Sequence, residues 1–215
     1  MKDIDLVIFD CDGVVVDSEV LSCESLVDVL DLYGVRVSLD DVFEKFLGRS
    51  FSLVEAYYLE TVGRPLPDAL RTGYRTTLAS KFRSFLKPMP AIVGLLNALE
   101  TPYCLASSSD RERIDVTLEV TGLRRLFTNR IYLSSMVPEG KPAPDLFLYA
   151  ARQMGHKPRR SLVVEDTVSG VLAGKAAGMT VWGFTGGGHC VGRDVARQLV
   201  AAGADRVFNS MVDFA

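Results

Sequence analysis

Short apolar runs alternate along the chain with longer segments of helical periodicity. The runs have the length of buried strands, and they predict strands at Ile4–Phe9, Tyr103–Ala106, Arg130–Leu133, Leu162–Val164 and Thr180–Phe184. Helical periodicity between the later runs predicts helices at Ala91–Leu99, Arg111–Val120, Pro144–Met154 and Val168–Ala177. Strands that alternate with helices form a parallel sheet covered on both faces. The pattern therefore predicts an α/β fold with a doubly wound, Rossmann-like parallel sheet.

One long segment interrupts this alternation. Residues 15–85 contain helical patterns near 19–33, 53–62 and 68–85 but no run typical of a buried strand. Glycine and proline residues divide the segment into short helices. We therefore expect residues 1–14 and 86–215 to form the α/β core and residues 15–85 to form an inserted helical cap domain.

Composition and charge exclude several classes of protein. Hydrophobic residues make up 48% and charged residues 24%, which is typical of a folded globular chain. The net charge is -3 and basic residues are scattered, so we expect no nucleic-acid partner. No apolar run approaches the roughly 20 residues that cross a bilayer, and Asp3 and Asp5 stand where a signal peptide would be basic. We expect a cytoplasmic protein with no membrane partner.

Cysteine and histidine offer little chemistry. The four cysteines form no Cys-x-x-Cys pair, which favours free thiols over a zinc site. Cys11 lies between two acidic residues, which predicts a packing role and a raised thiol pKa. The two histidines, His156 and His189, are too isolated to predict a metal cluster or a catalytic triad. The glycines at 186–188 lack the spacing of a phosphate-binding loop and predict a flexible connection.

Polar side chains follow several of the predicted strands where these end. In doubly wound sheets, ligands bind beyond the carboxyl ends of the strands. The residues at those positions, together with a lysine just before a predicted helix, are Asp10, Asp12, Ser107, Ser108, Glu165, Asp166 and Lys141. These residues are the candidates for a functional site.

Each of these residues also has an ordinary structural interpretation. Ser107 alone can begin a turn, Lys141 alone is typical of an exposed lysine, and either Asp166 or Thr167 can cap the following helix. Asp10 and Asp12, however, are two carboxylates on the same side of an extended chain. Their mutual repulsion favours a bound cation or a raised pKa on one of them, and oxygen ligands favour Mg²⁺.

The order of these residues resembles the four motifs of the haloacid dehalogenase-like hydrolase superfamily. The matching motifs are Asp10-Cys11-Asp12-Gly13-Val14, Ser107, Lys141 within Gly140-Lys141-Pro142, and Glu165-Asp166. The helical insert resembles the branch that contains phosphoglycolate phosphatases, sugar-phosphate phosphatases and β-phosphoglucomutases. The likeness covers nearly the whole chain.

This resemblance implies specific roles. Asp10 would attack phosphorus to form an aspartyl-phosphate, and Asp12 would act as general acid and then general base. Ser107 and Lys141 would stabilise the charge on the transferred phosphoryl group. Mg²⁺ would bind the Asp10 carboxylate, the Asp12 backbone carbonyl and Asp166, with Glu165 acting through water.

The helical insert would select the substrate, as caps in such relatives do. The candidates for substrate binding there are Gly48, Arg49, Glu19 and Ser22, in addition to Ser108 of the core. Ser22 and Leu47 stand where the mutases carry a histidine and a basic residue, which favours hydrolysis over isomerisation. The expected protein is an Mg²⁺-dependent phosphatase of a small phosphorylated metabolite, a sugar or sugar-acid phosphate, acting as a monomer or weak homodimer.

The sequence leaves three alternative functions open. The first is a β-phosphoglucomutase-like sugar-phosphate mutase. The second is a phospho-acceptor signalling domain, which also combines acidic residues, a hydroxyl and a lysine on an α/β sheet, although it leaves the insert unexplained. The third is a binding protein that keeps the fold without the activity.

Overall fold

The computed structural model describes residues 3–49 and 51–214, which form two compact units. Residues 3–17 together with 87–214 make up the α/β unit, and residues 18–86 make up the helical unit. The sequence pattern predicts the boundaries between the two units at 14/15 and 85/86. The first boundary lies further along the chain because Val16 forms bridges to Asp12 and to Pro88, which tie it to the α/β unit.

Six parallel strands form the sheet of the α/β unit. The strands are β1 (Leu6–Phe9), β2 (Tyr103–Ser107), β3 (Ile131–Leu133), β4 (Ser161–Glu165), β5 (Thr180–Phe184) and β6 (Arg206–Phe208). Their order across the sheet is β3-β2-β1-β4-β5-β6, and every adjacent pair is parallel. This is the doubly wound order, whose direction of winding reverses at β1. The predicted fold class is confirmed, and β6 is a strand that the apolar pattern missed.

The helices of the described residues lie in both units. In the helical unit they are α1 (Glu19–Leu32), α2 (Leu39–Phe46), α3 (Ser52–Val62) and α4 (Asp68–Phe85). In the α/β unit they are α5 (Ile92–Ala98), α6 (Arg111–Val120), α7 (Asp145–Gln153), α8 (Val168–Ala176) and α9 (Val195–Ala201). None of the helices in the ranges given above is long and apolar enough to span a membrane.

The central strands are buried on both faces. Every residue of β1 and of β4 is buried, as the continuous apolar runs predict. On one face Leu6 and Ile8 belong to the same buried cluster as Phe147 of α7 and Val171 of α8. Burial of each such side chain contributes about 1.5–3 kcal/mol, which fixes the strand ends from which the polar residues extend.

The helical unit has an apolar core of its own. Buried side chains of α1 to α4, including Leu30, Val42, Tyr58 and Leu70, form one cluster. Helix α2 was not predicted, although Ser38 and its third following residue, Asp41, form a capping box that marks its start. The unit therefore has the core that a separately packed domain needs.

Candidate active site

Three strand ends bring the candidate acidic and hydroxyl residues together at one edge of the sheet. Strand β1 lies between β2 and β4, with Phe9 paired to Leu105 on one side and to Val164 on the other. The next residue, Asp10, donates its backbone N–H to the Val164 carbonyl at 3.0 Å. Ser107 ends β2 and Glu165 ends β4, so both side chains belong to the same edge as Asp10.

Lys141 joins two of the carboxylates. Its ammonium donates to Asp10 Oδ1 at 2.5 Å and to Glu165 Oε1 at 2.6 Å, and it also reaches the carbonyl of Ala106 at 3.3 Å. The side chain is only 5% exposed. Burial alone would lower the pKa of Lys141, but the charges of Asp10 and Glu165 outweigh burial and raise it. Lys141 is therefore a permanent cation between two carboxylates.

The two residues that follow Glu165 hold its carboxylate in place. Its Oε2 accepts hydrogen bonds from the N–H groups of Asp166 and Thr167 and from the Thr167 hydroxyl, each at 2.9 Å. The same Thr167 hydroxyl oxygen accepts from the Gly170 N–H at 3.1 Å and so caps α8. Of the two residues predicted to cap α8, Thr167 is therefore the one that does so. The Asp166 side chain does not take part in the cap.

Asp166 carries a buried carboxylate that lacks ordinary hydrogen bonding. Its side chain is 1% exposed, and within 3–49 and 51–214 neither carboxylate oxygen accepts a hydrogen bond. His189 Nε2 approaches Oδ2 to 3.1 Å as an ion-pair contact. Burial raises the pKa of Asp166, and the contact with His189 offsets only part of that rise. A Cβ on Gly13, whose φ is +76°, would collide with this carboxylate, so glycine leaves room there.

The acidic cluster fits a hard cation. One carboxylate oxygen from each of Asp10, Glu165 and Asp166 lies within 4.8 Å of the others, and all three residues are buried. Burial raises the pKa of Asp10 well above its usual range; Lys141 opposes this rise, while the other two carboxylates add to it. The two Asp166 oxygens accept no hydrogen bond from the described residues, although His189 lies 3.1 Å from Oδ2, and such buried carboxylate oxygens are the ligands that Mg²⁺ or a similar ion prefers. The cluster can therefore hold a metal ion.

Asp12 is bound by two residues that no sequence motif marks. The Ser109 hydroxyl donates to Asp12 Oδ2 at 2.7 Å, and Arg113 Nη2 donates to Asp12 Oδ1 at 2.6 Å. Ser107, which is buried, accepts from the Ser109 N–H at 3.0 Å, whereas Ser108 is exposed in the turn after β2. Nothing in the periodicity distinguishes Arg113 from Arg111, the other basic residue of α6.

His189 is the other site residue that sequence reasoning did not identify. Its isolation in the sequence gave no sign of the contact with Asp166. Burial alone would lower the pKa of His189, but Asp166 and the adjacent Cys190 raise it to about 11. The preceding glycines are packed, since a Cβ on Gly187 would collide with the imidazole, and the Gly188 N–H donates to Asp17 Oδ1 at 2.9 Å. This packing differs from the flexible connection that the glycine pattern predicted.

The thiols agree with the prediction from sequence. All four cysteines are free and buried. Burial raises the pKa of the Cys11 thiol, and the neighbouring charges of Asp12 and Asp10 raise it further. The predicted packing role of Cys11 is confirmed.

The candidate substrate-binding residues of the insert lie in the helical unit. Glu19 begins α1 and is half-buried, and the Ser22 hydroxyl donates to the Ser18 carbonyl at 2.8 Å within the same segment. Gly48 and Arg49 are exposed in the connection between α2 and α3. Their roles in substrate binding stay predictions.

Known proteins resemble this chain over most of its length. The family model described as haloacid dehalogenase-like hydrolase matches residues 4–178. A 6-phosphogluconate phosphatase of Escherichia coli is 27% identical over 190 residues, covering 88% of this chain and 86% of its own.

Solved structures give the same result. A haloacid dehalogenase-like protein of Agrobacterium tumefaciens superposes with a TM-score of 0.86 at 35% identity, covering 98% of this chain and 96% of its own. A hydrolase of the same family from Deinococcus radiodurans, crystallised with bound phosphate and sodium, has a TM-score of 0.80 at 34% identity and covers 99% of this chain and 93% of its own.

The chain belongs to the haloacid dehalogenase-like hydrolase superfamily. The model match covers well over half of the chain, and the motif residues quoted above fall within it. The predicted recognition is confirmed, and so is the predicted enzyme class, a phosphoric monoester hydrolase, which the match to the Escherichia coli phosphatase supports.

Proposed function

We propose that this enzyme is an Mg²⁺-dependent phosphatase of small phosphorylated sugars or sugar acids that works through an aspartyl-phosphate on Asp10. The observation that carries the proposal is the geometry around Asp10. One of its oxygens is fixed by the Lys141 ammonium at 2.5 Å, beside an Asp166 carboxylate whose buried oxygens accept no hydrogen bond from the described residues. This arrangement supplies a nucleophile, a fixed cation and ligands for a metal ion.

The first half of the reaction forms a covalent bond to the enzyme. A carboxylate oxygen of Asp10 attacks phosphorus, and the bond from phosphorus to the leaving oxygen breaks. Asp12 gives its proton to the departing alkoxide. Lys141 and the Ser107 hydroxyl, which already accepts from the Ser109 N–H, stabilise the phosphoryl oxygens.

The second half releases phosphate. Asp12, now ionised, takes a proton from water, the water oxygen attacks phosphorus, and the bond to Asp10 breaks. Asp10, the Asp12 backbone carbonyl and Asp166 would hold Mg²⁺, with Glu165 reaching it through water. When bound, the ion neutralises carboxylates whose pKa values are raised by burial and mutual repulsion. Glu165 also holds Lys141 in place, since its Oε1 accepts from the Lys141 ammonium while its Oε2 accepts from the Asp166 N–H.

The substrate class is supported by the relatives. The matched Escherichia coli enzyme is named for 6-phosphogluconate, a sugar-acid phosphate. Ser22 supports hydrolysis over phosphoryl transfer between sugars, since it donates to its own helix segment instead of presenting a basic group. Arg49, exposed before α3, is the proposed contact with a substrate anion.

The experiment is a phosphate-release assay with purified protein and Mg²⁺ against a panel of phosphorylated sugars, sugar acids and p-nitrophenyl phosphate. Wild-type protein should release phosphate from at least one sugar or sugar-acid phosphate, and Asp10→Asn should lower turnover by about 1000-fold or more. Asp213→Asn, which alters an exposed carboxylate, is the matched control and should keep full activity. Isomerisation of a sugar phosphate without phosphate release, or unchanged turnover of Asp10→Asn, would overturn the proposal.

A further inference from the structure

Two side chains near the start of α6 donate hydrogen bonds to Asp12, the proposed general acid and base. Asp12 accepts from the Ser109 hydroxyl on Oδ2 at 2.7 Å and from Arg113 Nη2 on Oδ1 at 2.6 Å. The side chains of Arg113 and Asp12 are only 20% and 10% exposed. Both oxygens of the carboxylate are therefore oriented by the protein.

The local sequence explains why the connection from β2 into α6 supplies both donors. Strand β2 ends at Ser107, and Asp110 caps α6 by accepting from the Arg113 N–H at 2.9 Å. Capping fixes the first turn of α6, and with it the point from which the Arg113 side chain extends. The Ser109 N–H donates to Ser107 Oγ at 3.0 Å, so the turn that presents Ser107 also binds Asp12.

Arg111, two residues earlier on α6, shows what an ordinary ion pair on this helix looks like. Its Nε lies 3.0 Å from Asp115 Oδ2, and the two side chains are 58% and 38% exposed. Exposed pairs of this kind contribute little to stability. The pair between Arg113 and Asp12 differs because it is mostly buried and because Asp12 belongs to the candidate active site.

We infer that Arg113, assisted by Ser109, is a positioning residue that holds the Asp12 carboxylate in the orientation needed for both proton transfers. This inference rests on the proposed function. The planar guanidinium restricts the carboxylate more strongly than a flexible ammonium would. A carboxylate oxygen has two lone pairs, so the contact with Arg113 is compatible with proton transfer at the same group. Misplacement by about 1 Å is enough to lower a rate by about 100-fold.

Rapid-mixing kinetics with p-nitrophenyl phosphate test the inference, because nitrophenolate scarcely needs a proton to leave whereas water must lose one. Arg113→Met should form phosphoenzyme within about 3-fold of the wild-type rate, yet its steady-state turnover should fall about 10- to 100-fold. The phosphoenzyme fraction, measured by intact mass after acid quenching, should therefore rise. Arg113→Lys should recover part of the loss, and Arg111→Met, the matched control, should behave as wild type.

The possible results separate this inference from the proposed function. If phosphoenzyme forms in the wild type and Arg113→Met turns over normally, or loses formation and hydrolysis of the phosphoenzyme equally, the positioning role is refuted. If the wild type forms no phosphoenzyme at all, the proposed function fails. Should Arg113→Met not fold, Ser109→Ala should show a smaller shift toward phosphoenzyme, and no shift would refute the inference.

Discussion

Removing the charge of Lys141 should destabilise the protein far more than removing an exposed lysine. In Lys141→Met, the carboxylates of Asp10 and Glu165 lose the ammonium that lies 2.5 and 2.6 Å from them. Asp166 lies in the same cluster, within 4.8 Å, so three buried carboxylates would remain close together. Breaking a buried ion pair by removing one partner costs about 3–5 kcal/mol. For a chain of this size the loss corresponds to a decrease in Tm of about 6–20 °C.

Thermal and denaturant unfolding in the presence of EDTA would measure this effect. Lys175→Met is the matched control, because Lys175 pairs with Asp205 at 2.8 Å but the two side chains are 36% and 42% exposed. We expect the control to lose only about 0.2–1 kcal/mol. Excess Mg²⁺ should restore part of the stability of Lys141→Met, since an ion that binds only the folded state stabilises it.

A double variant provides the sharpest check of the reasoning. Adding Glu165→Gln to Lys141→Met removes one of the uncompensated charges while the shape of the side chain stays the same. The double variant should therefore be more stable than Lys141→Met alone. Equal losses in Lys141→Met and Lys175→Met, or no recovery in the double variant, would refute the electrostatic explanation.

Two further predictions concern the support of the site and the sheet. Thr167→Val should lower the free energy of unfolding by about 1 kcal/mol and slow turnover, because it removes the cap on the Gly170 N–H and a hydrogen bond to Glu165. Thr167→Ser should behave as wild type in both unfolding and activity measurements, and equal losses in the two variants would contradict the role of the hydroxyl. Burial would raise the pKa of Asp205, but its bonds, chiefly from Lys175, outweigh burial and lower it below 3.8. The contribution of Asp205 to stability should therefore be present above about pH 4 and disappear as the pH falls further. The free energy of unfolding of Asp205→Asn should be lower than that of wild type by about 0.5 kcal/mol at pH 7, and the two values should converge in acid. A difference that stays constant with pH would contradict this.

The apolar pattern predicted the central part of the sheet because burial on both faces leaves a continuous signal. Strands β1 and β4 are buried along their whole length, and the polar residues that follow them lie where the topology requires. The edge strand β6 has only three residues, of which Arg206 is exposed, so it carries no such signal.

The residues around the site were predictable only where a motif marked them. Asp10 and Lys141 belong to motifs with fixed order along the chain. Arg113 shares its helix with Arg111, and only the three-dimensional structure shows which of the two reaches Asp12. His189 lies in a loop whose path depends on tertiary packing, so no local periodicity indicates its contact with a carboxylate.

The most direct test of the central claim is a crystal structure of the protein grown with Mg²⁺ and beryllium fluoride, which mimics a phosphoryl group on a carboxylate. We predict beryllium bonded to a carboxylate oxygen of Asp10, with the Lys141 ammonium beside it and Mg²⁺ bound to Asp10 and Asp166. An adduct on another residue, or an Mg²⁺ ion bound away from Asp10 and Asp166, would contradict the account.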